Sequence, residues 1–159
     1  MTMSASGQIR VVQIFISPGH NFYGHKGKSP GEHPTHEVKQ VECVAGKGLR
    51  GDRFFDFKED SISQVSFISQ DAFDKVCREL GVMGKNAGVT RRNVVIRGVE
   101  LSTLVGKEFE VQGIRFLGTE ECRPCLWMNH AVAPGAEAAL CGCGGLRAKI
   151  LTDGILRVD

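Results

Sequence analysis

Short runs of hydrophobic residues, bounded by turn-forming residues, recur along most of this chain. Runs of this length are typical of β-strands, and the first of them also alternates between apolar and polar residues. They predict strands at residues 10–16, 38–44, 64–68, 93–96, 108–111, 114–117, 146–151 and 155–158. Gln112-Gly113 and Asp153-Gly154 are predicted to be tight hairpin turns, because glycine accepts a positive φ.

Residues 69–80 have the spacing of an amphipathic helix instead. Ser69 can cap its N-terminus with a side-chain oxygen, and Gly81 can end it in the left-handed conformation. A second short helical region is predicted after Pro134, through Leu140. The apolar face of the first helix consists of Phe73, Val76, Cys77 and Leu80.

Many short strands, few helices and little strand–helix–strand alternation predict a mainly β fold. We expect a small closed β-barrel with a few peripheral helices packed outside it. The length of 159 residues favours a single domain over residues 1–159. Within it, residues 1–37 hold the first strand and a long loop, and residues 38–158 hold the rest of the strands.

The loop at residues 17–37 is rich in Gly, Pro and His. Structureless loops of this length are uncommon in compact domains and often have a function, although a plain surface loop is the alternative. Its four histidines could bind a metal ion, or they could be solvent-exposed or hydrogen-bonded. They are His20, His25, His33 and His36.

Charge and hydropathy exclude several classes of function. Lys and Arg total 20 and Asp and Glu total 18, so the net charge of +2 argues against a nucleic-acid partner. No apolar run approaches the length of a membrane span, and the run at residues 11–16 is too short for a signal peptide. We therefore expect a cytoplasmic protein, whose six cysteines are buried, metal-binding or reactive rather than paired.

Four of the cysteines form the pattern C-x2-C-x15-C-x-C. Four thiolates can close a tetrahedral zinc site, although the one-residue spacing of the second pair is unusual for one. Cys43 and Cys77 occupy apolar-face positions and are most simply core residues. The four cysteines of the pattern are Cys122, Cys125, Cys141 and Cys143.

Cys125 differs from the others because it follows Arg123 and Pro124. The arginine can favour the thiolate, which could ligate a soft transition metal or carry a persulfide. An inert, half-buried cysteine is the alternative from local sequence alone. His130, five residues later, could orient or deprotonate a ligand.

Basic residues accompany glycine-rich turns at three places. They are Lys47, Arg50 and Arg53 in GKGLRGDR, Arg91 and Arg92 before Asn93, and Arg147 after Gly144-Gly145. Glycine lets a backbone approach a phosphate, and arginine donates two hydrogen bonds to it. None of the turns has the spacing of a nucleotide phosphate loop, so solvated surface charge remains the alternative.

Four segments in this order, GKGLRGDR, RRNVVIRGVELSTLVGKEF, RPC and GGLRAKILTDG, together resemble a MOSC domain. This family is named for the C-terminal domain of molybdenum-cofactor sulfurases, and the similarity runs from about Val38 to Val158. The resemblance implies a β-barrel with a pocket for a pterin-type molybdenum cofactor, in a short stand-alone member. It extends neither to a pyridoxal-phosphate desulfurase domain nor to a separate N-terminal barrel.

The resemblance also implies roles for individual residues. Cys125 takes the place of the metal-bound or sulfur-carrying cysteine. Arg91 and Asn93 take the place of residues that hold the pterin pyrophosphate. Arg50, Asp52 and Arg53 fall on a motif at the rim of the pocket, and Arg147 is a further candidate for cofactor binding.

Three functions remain open from the sequence. A molybdenum-cofactor domain would use Cys125 as a metal ligand and could reduce N-hydroxylated compounds with electrons from a redox partner protein. A sulfur carrier would accept a persulfide on Cys125 from a cysteine desulfurase. A zinc-stabilised or cofactor-free binding module would use the four-cysteine pattern for structure.

Overall fold

The computed structural model describes residues 9–19 and 34–159. The strands in these residues are β1 (Arg10–Ile16), β2 (His36–Val38), β3 (Gln40–Val44), β4 (Gly48–Leu49), β5 (Val65–Ser69), β6 (Val94–Arg97), β7 (Glu108–Val111), β8 (Ile114–Glu121), β9 (Leu146–Ile150) and β10 (Gly154–Arg157). The α-helices are α1 (Gln70–Glu79), α2 (Leu126–Ala131) and α3 (Ala136–Ala139), and Ala87–Thr90 and Leu101–Leu104 form 3₁₀ helices. None of the described helices is long and apolar enough to cross a membrane.

The strands form two sheets, which confirms the prediction of a mainly β fold with few helices. The larger sheet has seven strands in the order β2-β1-β6-β5-β9-β8-β7, and the smaller has three in the order β10-β3-β4. The pairs are antiparallel except for β5 and β6, which run parallel because α1 forms the crossover between them.

Neither sheet closes into a barrel within the described ranges, so this detail of the sequence prediction is wrong. A closed barrel gives every strand two neighbours, whereas β2 and β7 are edges of the larger sheet. The predicted strand at residues 38–44 is in fact two strands. The chain changes sheets at Lys39, with β2 pairing with β1 and β3 pairing with β10.

The central strands β5 and β6 of the larger sheet are buried on both faces, which explains their continuous apolar runs. One face packs against the smaller sheet around Phe67, Phe109 and Phe116, whose ring centroids lie 5.2–5.5 Å apart. The opposite face, with Ile68 and Val95, packs against α1, α2 and α3. The helices therefore cover one face of the larger sheet.

The helix at α1 begins and ends where the sequence predicts. The Ser69 Oγ atom accepts a 3.2 Å hydrogen bond from the Ala72 N–H, which is the expected N-cap. Gly81 follows the helix with a φ of +68°. Phe73 and Val76 are buried against the sheet, as the amphipathic pattern requires.

The predicted hairpin turn at Gln112-Gly113 is present, with φ values of 53° and 82°. The one at Asp153-Gly154 is absent, because β9 pairs with β5 and β8 while β10 pairs with β3. The Asp153 carboxylate instead accepts a 2.7 Å hydrogen bond from the Ala45 N–H. A Cβ at Gly154 would lie 2.6 Å from the Ile114 side chain, so close packing and not a turn requires this glycine.

Candidate functional site

Asp52 and Arg53, which follow β4, anchor one side of the candidate site. The Asp52 Oδ1 atom accepts hydrogen bonds from the Ser17 N–H at 3.0 Å and from an Arg53 guanidinium nitrogen at 3.1 Å. The Asp52 side chain has no solvent exposure, and that of Arg53 is 9% exposed. Arg53 also stacks on Phe54, with 4.7 Å between its guanidinium carbon and the ring centroid. This buried ion pair therefore joins the end of β1 to the turn after β4.

Arg91 lies beside this pair and is also buried. Its guanidinium group donates to the Ser17 hydroxyl at 2.7 Å, to the Gly19 carbonyl at 2.6 Å and to the Thr35 hydroxyl at 3.1 Å. Its own carbonyl accepts a 3.1 Å hydrogen bond from Arg53. The backbone of Arg91 has a φ of +62°, an uncommon conformation for a residue with a side chain.

The arginines of this group repel one another. Burial, followed by the charge of Arg53, lowers the pKa of Arg91 to about 10. Burial also lowers the pKa of Arg53, opposed by Asp52 and reinforced by the charge of Arg92. With a pKa of about 10, the Arg91 guanidinium group remains protonated at neutral pH. Asp52 is the carboxylate whose charge raises the pKa of both Arg53 and Arg91. Because the three guanidinium groups share this carboxylate, the group carries a net positive charge suited to an anion.

Arg92 connects this group to the cysteine-containing turns. Its Nε atom donates to the Gly144 carbonyl at 2.9 Å, and a terminal nitrogen donates to the Cys122 carbonyl at 3.4 Å. The Cys122 N–H in turn donates to the Gly145 carbonyl at 2.9 Å. A Cβ at Gly144 would lie 2.4 Å from the Cys122 oxygen, so only glycine permits this approach.

Cys125 is exposed at the N-terminus of α2, and Cys122 three residues earlier is buried. The Cys125 carbonyl accepts a 2.9 Å hydrogen bond from the Met128 N–H, which starts the helix. Trp127, in the first turn, lies under Arg91 with 5.8 Å between the guanidinium carbon and a ring centroid. The helix that presents the Cys125 thiol therefore contacts the arginine group directly.

A cavity of about 480 Å³ lies between Arg91 and α2. Its lining includes Phe15, Thr35, Arg91, Trp127 and His130. The Trp127 Nε1 atom donates a 2.8 Å hydrogen bond to the Val89 carbonyl, which holds the indole against this wall. An aromatic cavity with one cation at its rim can accept a planar, polar small molecule.

Asn93 is fully buried and supports the site through the strands. Its carboxamide oxygen accepts from the N–H and the hydroxyl of Ser66 at 3.0 and 3.1 Å, and its amide group donates to the Phe15 carbonyl at 3.1 Å. These bonds fix the start of β6 against β1 and β5. Asn93 therefore holds in place the backbone segment that contains Arg91 and Arg92.

Two of the basic residues singled out in the sequence lie on sheet surfaces. Arg50 forms an ion pair with Glu42 and stacks on Phe55, with 5.1 Å between the guanidinium carbon and the ring centroid. Arg147 forms an ion pair with Glu120 across strands β8 and β9 at 3.0 Å. Their side chains pair with carboxylates there, whereas Asp52, Arg53 and Arg91 are joined to one another by hydrogen bonds.

The structure does not gather the four cysteines of the C-x2-C-x15-C-x-C pattern. In the described part of the chain, no group of three or more His, Cys, Asp and Glu side chains could hold a metal ion, which contradicts the four-cysteine zinc site. Cys122 is buried and Cys125 is exposed on α2, whereas Cys141 and Cys143 line a different cavity. Among the histidines of the long loop, His20, His25 and His33 lie outside the described residues, and His36 pairs with Ile16 in the sheet.

Several contacts of the site were not predicted from the sequence. Ser17 and Thr35, at the two ends of the long loop, both accept hydrogen bonds from Arg91. The Arg92 side chain extends in a different direction from that of Arg91 and reaches the glycine turn before β9. The one signal for these contacts in the sequence is the adjacent pair of arginines before Asn93.

The sequence pattern of the MOSC domain matches residues 52–158. The chain belongs to the MOSC domain family. The match covers more than half of the chain and includes every residue of the arginine group as well as Cys125. MOSC domains are associated with molybdenum-cofactor binding and sulfurase-like functions. No curated protein matches the sequence.

Solved structures share the fold of this MOSC domain at low sequence identity. YuaD from Bacillus subtilis aligns with a TM-score of 0.70 and 15% identity, over 95% of this chain and 92% of that one. YiiM from Geobacillus stearothermophilus aligns with a TM-score of 0.65 and 14% identity, over 94% and 71%. YiiM from Escherichia coli aligns with a TM-score of 0.61 and 15% identity, over 94% and 66%.

The residues present fit a phosphorylated pterin that carries molybdenum. The group of Arg53, Arg91 and Arg92 has an excess of positive charge, which a phosphate would neutralise. Cys125 offers an exposed thiol, the kind of soft donor that a transition metal such as molybdenum accepts. Both features lie on segments that contact each other through Arg91 and Trp127.

Proposed function

We propose that this MOSC domain binds the molybdenum cofactor and uses it to reduce N-hydroxylated compounds. The observation that carries the proposal is the contact between the buried arginine group and the helix that begins at Cys125. When bound, the cofactor supplies the two-electron redox chemistry. The protein supplies the positions of the cofactor and the substrate, together with a path for protons.

The arginine group would hold the phosphate side of the cofactor. Arg53 is fixed by its ion pair with Asp52, and Arg91 by its hydrogen bonds to Ser17 and Thr35. Because these contacts hold both guanidinium groups in place, little ordering is needed when an anion binds. Asn93 would not contact the cofactor. Its hydrogen bonds fix the start of β6, which directly follows Arg91 and Arg92.

Cys125 would be the protein ligand of the metal. Pro124 precedes it with a fixed φ, and the first turn of α2 begins with a hydrogen bond to the Cys125 carbonyl. The thiol is therefore held at a defined point of an otherwise exposed turn. Arg50 and Arg147, which are paired with Glu42 and Glu120, would affect cofactor binding less than Arg53.

The cavity beside α2 would receive the substrate. Trp127 and Phe15 supply aromatic surface, and the His130 imidazole lines the same cavity. Reduction of an N-hydroxyl group to an amine consumes two electrons and two protons and releases water. The electrons would come from a redox partner protein, and His130 would donate a proton to the departing oxygen.

Cofactor content tests the proposal directly. The protein would be purified from a host that makes the cofactor, and molybdenum and oxidised pterin would be quantified in the wild type, Cys125→Ser and Cys141→Ser. Cys141 is the matched control, because it is also exposed but lines a cavity to which α2 contributes no residue. We expect equal amounts of molybdenum and pterin in the wild type and the control, and loss of molybdenum in Cys125→Ser. Wild-type protein that carries neither, and takes up neither as apoprotein, would contradict the proposal.

The exposure of Cys125 favours sulfur transfer as a second candidate function. A persulfide on an exposed thiol at a helix start can be handed to another protein, and Leu126 next to it is 45% exposed. Incubation with a cysteine desulfurase and cysteine should then add one sulfur atom to Cys125, detected by peptide mass spectrometry. No adduct at Cys125 in the presence of an active desulfurase would rule this candidate out.

A further inference from the structure

Cys141 and Cys143 lie in a second cavity, on the helix-covered face of the larger sheet. This cavity measures about 590 Å³, within the range of about 300–1,000 Å³ that small-molecule sites occupy. It lies between α1, the 3₁₀ helix Leu101–Leu104 and the turn after α3. Its charged lining is formed by Lys75, Glu79, Glu100 and Glu121.

The two cysteines flank a tight turn at Gly142. The Cys143 N–H donates a 2.9 Å hydrogen bond to the Leu140 carbonyl, which closes a four-residue turn. Gly142, at its third position, has a φ of +89°, the value that a type II turn requires. The Gly142 N–H donates to the Glu121 carboxylate at 2.8 Å, which fixes the turn against β8.

This geometry suits a disulfide between the two cysteines. A disulfide needs its two Cα atoms roughly 4.4–6.8 Å apart. The Cα atoms of Cys141 and Cys143 are separated by two steps of about 3.8 Å each. The bend at Gly142 shortens the distance between them into this range. Neither Cys141 nor Cys143 is paired in the structure, and both face the same cavity.

We propose that Cys141 and Cys143 form a redox-active dithiol that reacts with a low-molecular-weight disulfide bound in this cavity. The exposed Cys141 thiolate attacks one sulfur of the small disulfide and displaces a thiolate, which takes up a proton. Cys143 then loses its proton and attacks the Cys141 sulfur, which expels the second small thiol. The products are one Cys141–Cys143 disulfide and two reduced thiols, so the two electrons lost by the protein reduce the ligand.

The environments of the two thiols assign the order of attack. Cys141 is exposed and Cys143 is half-buried, with its Sγ atom 3.8 Å from the Ala139 carbonyl. Burial raises the pKa of Cys143, and the Glu121 carboxylate raises it further. Cys143 is therefore a poor entry nucleophile but is held where it can resolve a mixed disulfide on Cys141. Lys75, on the cavity wall, offers a positive charge to a carboxylate of the ligand.

Glutathione disulfide is the probe for a test on the full chain. A Cys125→Ser background would remove adducts at the other exposed cysteine. After incubation and quenching with an alkylating agent, the thiols would be counted by intact mass and located by peptide mapping. We expect the loss of two alkylated thiols, a disulfide in the peptide that contains residues 141–143, and no retained glutathione. A reducing agent should restore both thiols.

Two single variants show whether the cavity thiols act in the stated order. Cys143→Ser should accumulate one glutathione on Cys141, and Cys141→Ser should leave Cys143 unmodified over the same time. Circular dichroism would establish that both variants are folded. Glutathione that stays on Cys141 while Cys143 is present would overturn the proposal, as would full alkylation of both thiols or a disulfide to Cys122. Because molybdenum and pterin are not needed for the exchange, this result is independent of the function proposed above.

Discussion

The Arg92 side chain donates a 2.9 Å hydrogen bond from Nε to the carbonyl oxygen of Gly144, 52 residues later in the chain. A second, longer bond reaches the Cys122 carbonyl. One guanidinium group thereby ties together the start of β6, the turn before β9 and the segment that leads to Cys125. Arginine suits this task because its donors have a fixed planar arrangement.

Loss of the Arg92 side chain should therefore destabilise the fold. Arg92→Leu removes the donors of two carbonyls in a partly buried region, and each carbonyl left without a partner costs about 1–3 kcal/mol. We expect the free energy of unfolding, measured with urea, to fall by this order. Arg97→Leu is the control, since Arg97 pairs with Asp71 and Asp74 in exposed positions. A change below about 1 kcal/mol is expected there, and equal losses in the two variants would contradict the role of Arg92.

Gly144→Ala should disturb the segment that leads to Cys125. The added Cβ would lie 2.4 Å from the Cys122 oxygen and 3.1 Å from the Pro124 Cδ atom, so the backbone must move. Overpacking of this kind costs about 1–3 kcal/mol. We also expect the alkylation rate of Cys125 to change, as followed by peptide mass spectrometry.

Gly113→Ala is the control in the same experiment, because it introduces backbone strain without a steric contact. Gly113 has a φ of +82° and open space around it, so alanine there is strained but meets no neighbour. Stability should fall, but the alkylation rate of Cys125 should stay as in the wild type. An unchanged rate in Gly144→Ala would show that the glycine turn does not position the cysteine segment.

The local features of the fold could be predicted from the sequence. Strand β1, helix α1 with its cap at Ser69, and the turn at Gln112-Gly113 depend on residues that are neighbours along the chain. The pairing of distant strands could not be predicted in this way. Gly154 illustrates the reason, because it is required by contact with Ile114, which no local pattern indicates.

The candidate site was predicted in part for the same reason. The resemblance singled out Asp52, Arg53 and Arg91, and the structure joins them through hydrogen bonds. The resemblance could not distinguish Arg53 from Arg50, because the motif GLRGDR contains both arginines in one turn. Arg50, three residues before Arg53, instead forms an exposed ion pair with Glu42 of β3.

Asn93 should be needed for stability rather than for contact with a ligand. Asn93→Ala removes three hydrogen bonds, to the N–H and hydroxyl of Ser66 and to the Phe15 carbonyl, in a fully buried position. We expect a loss of more than about 2 kcal/mol in urea unfolding. Gln13→Ala, which removes an exposed hydrogen bond to Glu37, should change the stability little. A stable Asn93→Ala variant that loses only pterin would assign the residue to direct cofactor binding instead.

Cys43 should make the stability depend on alkaline pH. Burial in the core raises the pKa of its thiol from 9.0 to about 12. The unfolded chain therefore loses this proton at a lower pH than the folded chain does. The stability that the neutral thiol contributes is fully present below pH 9 and is lost as the pH rises from 9 towards 12.

A comparison with Cys43→Ala isolates this effect from those of other titrating groups. Alanine in place of the buried thiol lowers stability at neutral pH by leaving a small void. Above pH 9 the wild type alone is weakened by ionisation of Cys43 in the unfolded state, by about 1.4 kcal/mol for each pH unit. Urea unfolding at pH 8, 9, 10 and 10.5 should therefore show the difference between the two proteins shrinking. A constant difference over this range would mean that the Cys43 thiol ionises as readily in the folded protein as in the unfolded chain.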